Sequence, residues 1–114
     1  MNTDLIVDSW KNKFSFKREL GNSSPGLRSP QIGALHAILA YIETDEDKPA
    51  IIVMPTGTGK TETMLSFMVA NQCKKLLIVV PSDALRTQIA DKFESLGKLP
   101  EIGVVPKSIE KPIV

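Results

Sequence analysis

Apolar residues along this chain follow two different patterns. Ile32, Leu35, Leu39 and Ile42 recur three or four residues apart behind Ser29 and Pro30, an N-cap and a first-turn proline, so the spacing predicts a helix over about 30–43. Leu85, Ile89 and Phe93 repeat that spacing behind Ser82 or Asp83 as cap, and Gly97 marks the end of this helix. Ala50-Ile51-Ile52-Val53-Met54 and Leu76-Leu77-Ile78-Val79-Val80 are instead unbroken apolar runs. Runs that short predict buried strands over 50–54 and 75–80, with a helix from Lys60 to about Gln72 between them and a third strand over 101–105. Strand, helix, strand, helix, strand in that order predicts an α/β domain on a parallel sheet, with right-handed crossovers and flanking helices.

Upstream, Leu5, Ile6, Val7, Trp10 and Phe14 line one side of a short helix that begins near Thr3 or Asp4. Gly21-Asn22-Ser23-Ser24-Pro25-Gly26 is turn chemistry throughout, so residues 1–26 read as an amino-terminal arm and loop, and 27–114 as the start of a domain. Thr44-Asp45-Glu46-Asp47-Lys48-Pro49 reads as a charged, solvent-facing loop.

Composition narrows the class without naming a function. The 114 residues fit one small domain, and 42% apolar with 24% charged residues excludes a disordered, collagen-like or membrane chain. No apolar run approaches the roughly 20 residues that cross a bilayer. Met1-Asn2-Thr3-Asp4 carries an acid where a signal peptide needs bases, so a cytoplasmic chain with no membrane partner is expected. The net charge of +1 gives no global positive field, so any nucleic-acid contact must be local. Cys73 stands alone, which excludes an internal disulfide and a cysteine-based zinc site and leaves a buried or inert thiol as the expectation.

The chemistry lies in Pro55-Thr56-Gly57-Thr58-Gly59-Lys60-Thr61, between the first predicted strand and the helix that starts at Lys60. That is the context of a phosphate-binding loop. Gly57 and Gly59 let the backbone curl until successive N–H groups point inward, and the helix amino terminus adds partial positive charge, which makes a nest for a polyphosphate. Thr56, Gly57, Thr58, Gly59, Lys60, Thr61 and Glu62 are the candidate ATP-binding residues. Lys60 is the candidate catalytic group, on the β- and γ-phosphates, and the Thr61 hydroxyl the candidate Mg2+ ligand. Met54 stands where the general pattern G-x-x-x-x-G-K-[ST] has its first glycine. A glycine-rich turn followed by a surface lysine is the plainer alternative.

Together with its neighbours, the loop resembles motif I of the superfamily 2 helicases and translocases, written x-x-T-G-x-G-K-T, which does not demand that first glycine. Val80-Pro81-Ser82-Asp83-Ala84-Leu85-Arg86-Thr87-Gln88 resembles motif Ia, P-[ST]-x-x-L-x-x-Q. Leu27-Arg28-Ser29-Pro30-Gln31 resembles the adenine-reading L-R-x-x-Q segment of the restriction-enzyme-subunit and Swi/Snf-like branches. The likeness covers about residues 27–90 and implies a RecA-like P-loop NTPase fold, present in part and incomplete after about three strands. It also implies ATP and Mg2+ as cofactors and a nucleic acid as partner, with DNA favoured by the L-R-x-x-Q branch.

Within that resemblance Gln31 is the candidate base reader, since a carboxamide offers a donor and an acceptor together to the N6 and N7 edge of adenine, and Arg28 is its neighbour at the nucleotide. An ordinary polar residue in a first helical turn is the other reading of Gln31. Phe14 or Phe16 is a candidate to pack on the adenine ring, with core packing as the alternative. His36 is assigned no role. Ser82 and Arg86, at a helix amino terminus, are candidate contacts to a nucleic-acid phosphate, and helix capping is the alternative for Ser82. Asp83 puts a carboxylate where the DEAD-box branch has an arginine, so the likeness is to the wider superfamily.

The family hydrolyses ATP with an Asp-Glu pair at the end of a later strand, and no such pair follows an apolar run here. Asp45-Glu46-Asp47 precedes the loop instead. The Ser-Ala-Thr type coupling motif and the second motor domain, with its arginine fingers, are also missing. The expectation is an amino-terminal fragment of an ATP-driven helicase or translocase, inactive alone and completed in cis or in trans. Two other readings stay open: a small-molecule P-loop kinase, which leaves residues 27–31 and 81–88 unexplained, and a non-catalytic or split nucleotide-binding subunit that docks on a partner.

Overall fold

The computed structural model describes residues 2–21, 23–44 and 47–114. Asn22 of the turn-rich loop, and Asp45 and Glu46 of the acidic cluster, lie outside the described residues. Four helices form among those described: α1 (Thr3–Ser9), α2 (Ser29–Glu43), α3 (Lys60–Ala70) and α4 (Asp83–Ser95). None is long and apolar enough to cross a membrane.

Each helix starts on local chemistry that the sequence carries. Asn2 caps α1 by accepting the Leu5 N–H at 2.9 Å, and Ser82 caps α4 by accepting the Leu85 N–H at 3.3 Å. The cap of α2 is Arg28, one residue ahead of the predicted Ser29. Gln31 causes that shift, because its side chain reaches back and accepts the Arg28 N–H at 2.8 Å. An arginine side chain has no acceptor to return the bond, so only this half of a capping box exists. α4 stops at Ser95, with Leu96 and Gly97 both at positive φ beyond it.

α3 packs against α2 on one side and α4 on the other, with Leu35, Leu65, Val69 and Phe93 buried between them. The amino-terminal arm joins this core: Ile6, Val7 and Trp10 are buried, and the Trp10 Nε1–H donates to the Glu110 carbonyl at 2.8 Å. Gln72 Nε2 donates to the Val7 carbonyl at 3.2 Å, and the Ser15 N–H to the Val104 carbonyl at 2.8 Å.

The α/β, partial RecA-like architecture expected from sequence is overturned. The structure is helical, and among the described residues no strand or parallel sheet forms; one isolated bridge joins Arg18 and Leu27. Residues 50–54 and 76–80 are irregular chain without ladder partners, and Ile51, Val53, Leu77 and Val79 are 87%, 85%, 86% and 83% exposed. Their neighbours Ile52, Leu76 and Ile78 are less exposed, which is the two-residue alternation of a chain with one covered side. An apolar run reports side chains suited to a sheet interior, whereas a strand also requires a neighbour for its N–H and C=O groups. Over 101–105 the cause is local. Pro100 and Pro106 bracket the segment, Gly103 sits at φ 79°, and the N–H groups of Ile102, Gly103 and Val104 turn back to Lys98, Pro100 and Leu99.

Candidate nucleotide-binding site

Residues 55–59 form the turn that delivers the chain into α3. The Thr58 N–H and hydroxyl both reach the Pro55 carbonyl, at 3.3 and 2.6 Å, and close the turn. Gly57 at φ 81° and Gly59 at φ 84° occupy the left-handed region, where a Cβ costs roughly 1–2 kcal/mol. Gly59 is the N-cap of α3 and has no side-chain cap. Lys60, Thr61 and Glu62 therefore form the first turn of the helix, where backbone N–H groups have no intrahelical acceptor.

Both glycine carbonyls of this turn are taken. Gly59 O accepts the Thr63 N–H at 3.1 Å, the Thr63 hydroxyl at 2.9 Å and the Gln31 Nε2–H at 3.1 Å. Gly57 O accepts Arg28 Nη1–H at 2.8 Å. By contrast the N–H groups of Gly57, Gly59, Lys60 and Thr61 have no protein acceptor among the described residues. Donors left free at a helix amino terminus, with the two glycine carbonyls held by protein donors, suit an anion.

Lys60 is exposed, and Thr61 and Glu62 are half-buried. Among the described residues the ion pairs are Lys74 with Asp4 and Arg86 with Asp83, so Lys60 has no carboxylate on it. No group of His, Cys, Asp or Glu is placed to hold a metal there among the described residues. Mg2+ at nucleotide sites is held by one or two protein oxygens with phosphates and water, a role that a hydroxyl such as that of Thr61 fits.

The sequence-derived candidates thus fall into two groups. Arg28 and Gln31 are brought onto Gly57 and Gly59, from α2 to the loop, while Ser82 and Arg86 lie at the start of α4 with local partners only. The Ser82 hydroxyl is committed to its cap, and Arg86 Nη2 lies 3.4 Å from Asp83 Oδ1 on the exposed surface. Phe16 stacks on His36, with ring centroids 4.4 Å apart at 10°, and meets Phe14 edge-on at 5.0 Å. Thr63 was not among the candidates. Its signal was present, since a threonine four residues after a helix cap is placed to bond that cap's carbonyl.

An apolar cavity of about 270 Å³ lies elsewhere, lined among others by Trp10, Met68, Cys73, Ile78, Ile89 and Phe93. Burial there pushes the Cys73 thiol pKa up, and the Asn71 side chain, 3.7 Å away, opposes this in part.

The family model described as type III restriction enzyme, res subunit, matches residues 24–111, a span that takes in the Arg28–Gln31 segment, the 55–61 loop and α4. No curated protein and no solved structure matches the chain. On that match the chain belongs to the type III restriction enzyme res-subunit family, and it carries that family's helicase-like, nucleotide-binding region of superfamily 2.

Proposed function

We propose that this chain is the ATP-gripping portion of an ATP-dependent nucleic-acid motor, with DNA as the track. The loop of residues 55–61 holds the polyphosphate, Lys60 neutralises charge at the β- and γ-phosphates, and the Thr61 hydroxyl contributes to the Mg2+ shell. One observation carries this reading: the carbonyls of Gly57 and Gly59 are held by protein donors, while the N–H groups of Gly57, Gly59, Lys60 and Thr61 have no protein acceptor among the described residues. Mg2+ supplies charge neutralisation between the phosphates, and the chain's own residues supply binding and orientation.

Hydrolysis needs groups that this sequence does not contain, among them an Asp-Glu pair after an apolar run, so the isolated chain binds ATP weakly and does not turn it over. The remainder of the motor, in cis or in trans, completes it. The exposure of Ile51, Val53, Leu77 and Val79 supports a covering protein surface at those segments. Ser82 and Arg86 contact the nucleic-acid backbone in this reading, with the Arg86–Asp83 pair opening to release the guanidinium.

Calorimetric titration of the 114-residue chain with ATP and Mg2+ tests the proposal. The expected result is weak binding by the parent chain and none by Lys60→Ala, with no phosphate released by either. Equal binding by both chains, or turnover by the parent that Lys60→Ala abolishes, would sink it.

A further inference from the structure

The cations of this chain are unevenly placed. Residues 10–18, Trp10-Lys11-Asn12-Lys13-Phe14-Ser15-Phe16-Lys17-Arg18, hold four of the 14 Lys and Arg and none of the 13 Asp and Glu, so this stretch carries +4 and the rest of the chain −3. The net charge of +1 hides that local field. The stretch is tied to the core and is no loose tail. Trp10 is buried at its head, Asn12 at φ 62° turns the chain, and the Ser15 N–H donates to the Val104 carbonyl at 2.8 Å. The Lys17 carbonyl accepts the Leu27 N–H at 2.7 Å, and the Glu19 N–H donates to the Leu27 carbonyl at 2.9 Å. Phe14 and Phe16 pack on each other, with Phe16 stacked on His36 of α2, so the aromatic groups are turned inward. Lys11, Lys13, Lys17 and Arg18 are exposed, and the Lys17 stem lies across Gly103. The ion pairs among the described residues are Lys74 with Asp4 and Arg86 with Asp83, so none of these four cations is held by a carboxylate there.

We propose, resting on the reading of the chain as part of a nucleic-acid motor, that Lys11, Lys13, Lys17 and Arg18 form an interface for the phosphate backbone of the track, besides the contact assigned to Ser82 and Arg86. Free cations spread along one stretch of chain match a polymer that carries a charge on every unit. A membrane surface asks for an apolar face beside the cations, and here the phenylalanines are packed against each other and α2. Because the stretch is already fixed on the core, little backbone ordering opposes binding. Its place supports the same partner. Trp10, at its head, and Arg86, near the start of α4, line one apolar cavity, so the strip begins beside the other candidate contact and a single strand can meet both. Contacts of this kind hold the track in register and carry no base selectivity.

The test is the binding of a fluorescein-labelled oligodeoxythymidylate to the 114-residue chain, followed by anisotropy over a series of KCl concentrations without ATP. The variants are Lys11→Gln/Lys13→Gln/Lys17→Gln/Arg18→Gln together, the pair Lys11→Gln/Lys13→Gln, Arg86→Gln alone, and a control pair Lys75→Gln/Lys92→Gln that removes two exposed cations outside the arm. Thermal melts establish that each is folded, and the exposed 11–13 pair serves should the fourfold variant fail to fold. On a single strand, the slope of log affinity against log salt is expected to become shallower by about 0.7 for each arm cation removed, with the control pair close to the parent. That result with Arg86→Gln unchanged supports the arm and removes the Ser82 and Arg86 contact. Binding that survives the arm variants and is lost in Arg86→Gln overturns the proposal and leaves that other contact standing. Equal losses in the 11–13 pair and the control pair overturn it, since binding then follows net charge. Polyglutamate that competes equally with the oligonucleotide, or phosphatidylserine vesicles that bind the parent more tightly, overturn it in favour of an acidic protein or a membrane surface. So does a parent chain that binds no oligonucleotide.

Discussion

Gly59 and Thr63 share one point of attachment: the glycine carbonyl accepts both the N–H and the hydroxyl of the threonine, at 3.1 and 2.9 Å, one turn into α3. With Gln31 Nε2 arriving at 3.1 Å, that single oxygen ties the loop to the helix it opens and to the helix beside it. The conformation of the 55–61 turn is therefore set by α2 and α3 before any ligand arrives, which lowers the ordering cost of binding.

The two loop glycines are expected to respond differently to alanine. At Gly57 a Cβ has no atom within 4 Å, so Gly57→Ala carries only the left-handed backbone cost of roughly 1–2 kcal/mol. At Gly59 the same cost applies, and the Cβ also displaces Gln31. Urea unfolding should show Gly59→Ala as the less stable of the two, with the larger loss of tripolyphosphate binding. Equal stabilities would mean that Gln31 gives way without resistance.

The amino-terminal arm is structural in this fold. Trp10→Ala removes a buried indole and is expected to cost about 3–5 kcal/mol, a large share of a small domain's stability. Trp10→Phe keeps most of the volume and loses the bond to the Glu110 carbonyl, for a smaller cost of about 1 kcal/mol. Trp10 is the single tryptophan, so circular dichroism and not fluorescence must follow the urea transitions. An unchanged midpoint in Trp10→Ala would detach the arm from the core.

Cys73 sets an alkaline limit. Its thiol pKa is raised, chiefly by burial, so the folded state holds the proton more tightly than the unfolded chain does. The resulting stability is fully present below the ordinary thiol range and is lost as pH rises through the raised folded value. Iodoacetamide at mildly alkaline pH should therefore label the folded chain more slowly than the urea-unfolded chain, and Asn71→Ala, which removes the opposing hydrogen bond, should slow labelling further. Faster labelling of the folded chain would contradict a desolvated thiol.

The helices were legible because their signals are local. Apolar spacing, Pro30 and the Ser82 cap place α2 and α4 within a residue of their observed starts, and Lys60 begins α3 as read. The strands were not, because a run such as Ile51-Ile52-Val53 states a need for cover and says nothing of whether a pairing neighbour is present. Over 101–105 the prolines at 100 and 106 were visible signals that the apolar pattern outweighed. At the site, Gly57 and Gly59 were readable from their chemistry. The contacts of Arg28 and Gln31 on them were not, since they join positions 29 and 28 residues apart in the chain.

Amide chemical shifts test the central claim most directly. In two-dimensional 1H–15N spectra of the labelled chain titrated with ATP and Mg2+, the largest movements are expected at Gly57, Gly59, Lys60 and Thr61, whose N–H groups have no protein acceptor among the described residues. Small shifts are expected around the apolar cavity at Trp10, Ile78 and Phe93. Movement concentrated at the cavity, with the loop amides still, would contradict the reading of residues 55–61 as the nucleotide's seat.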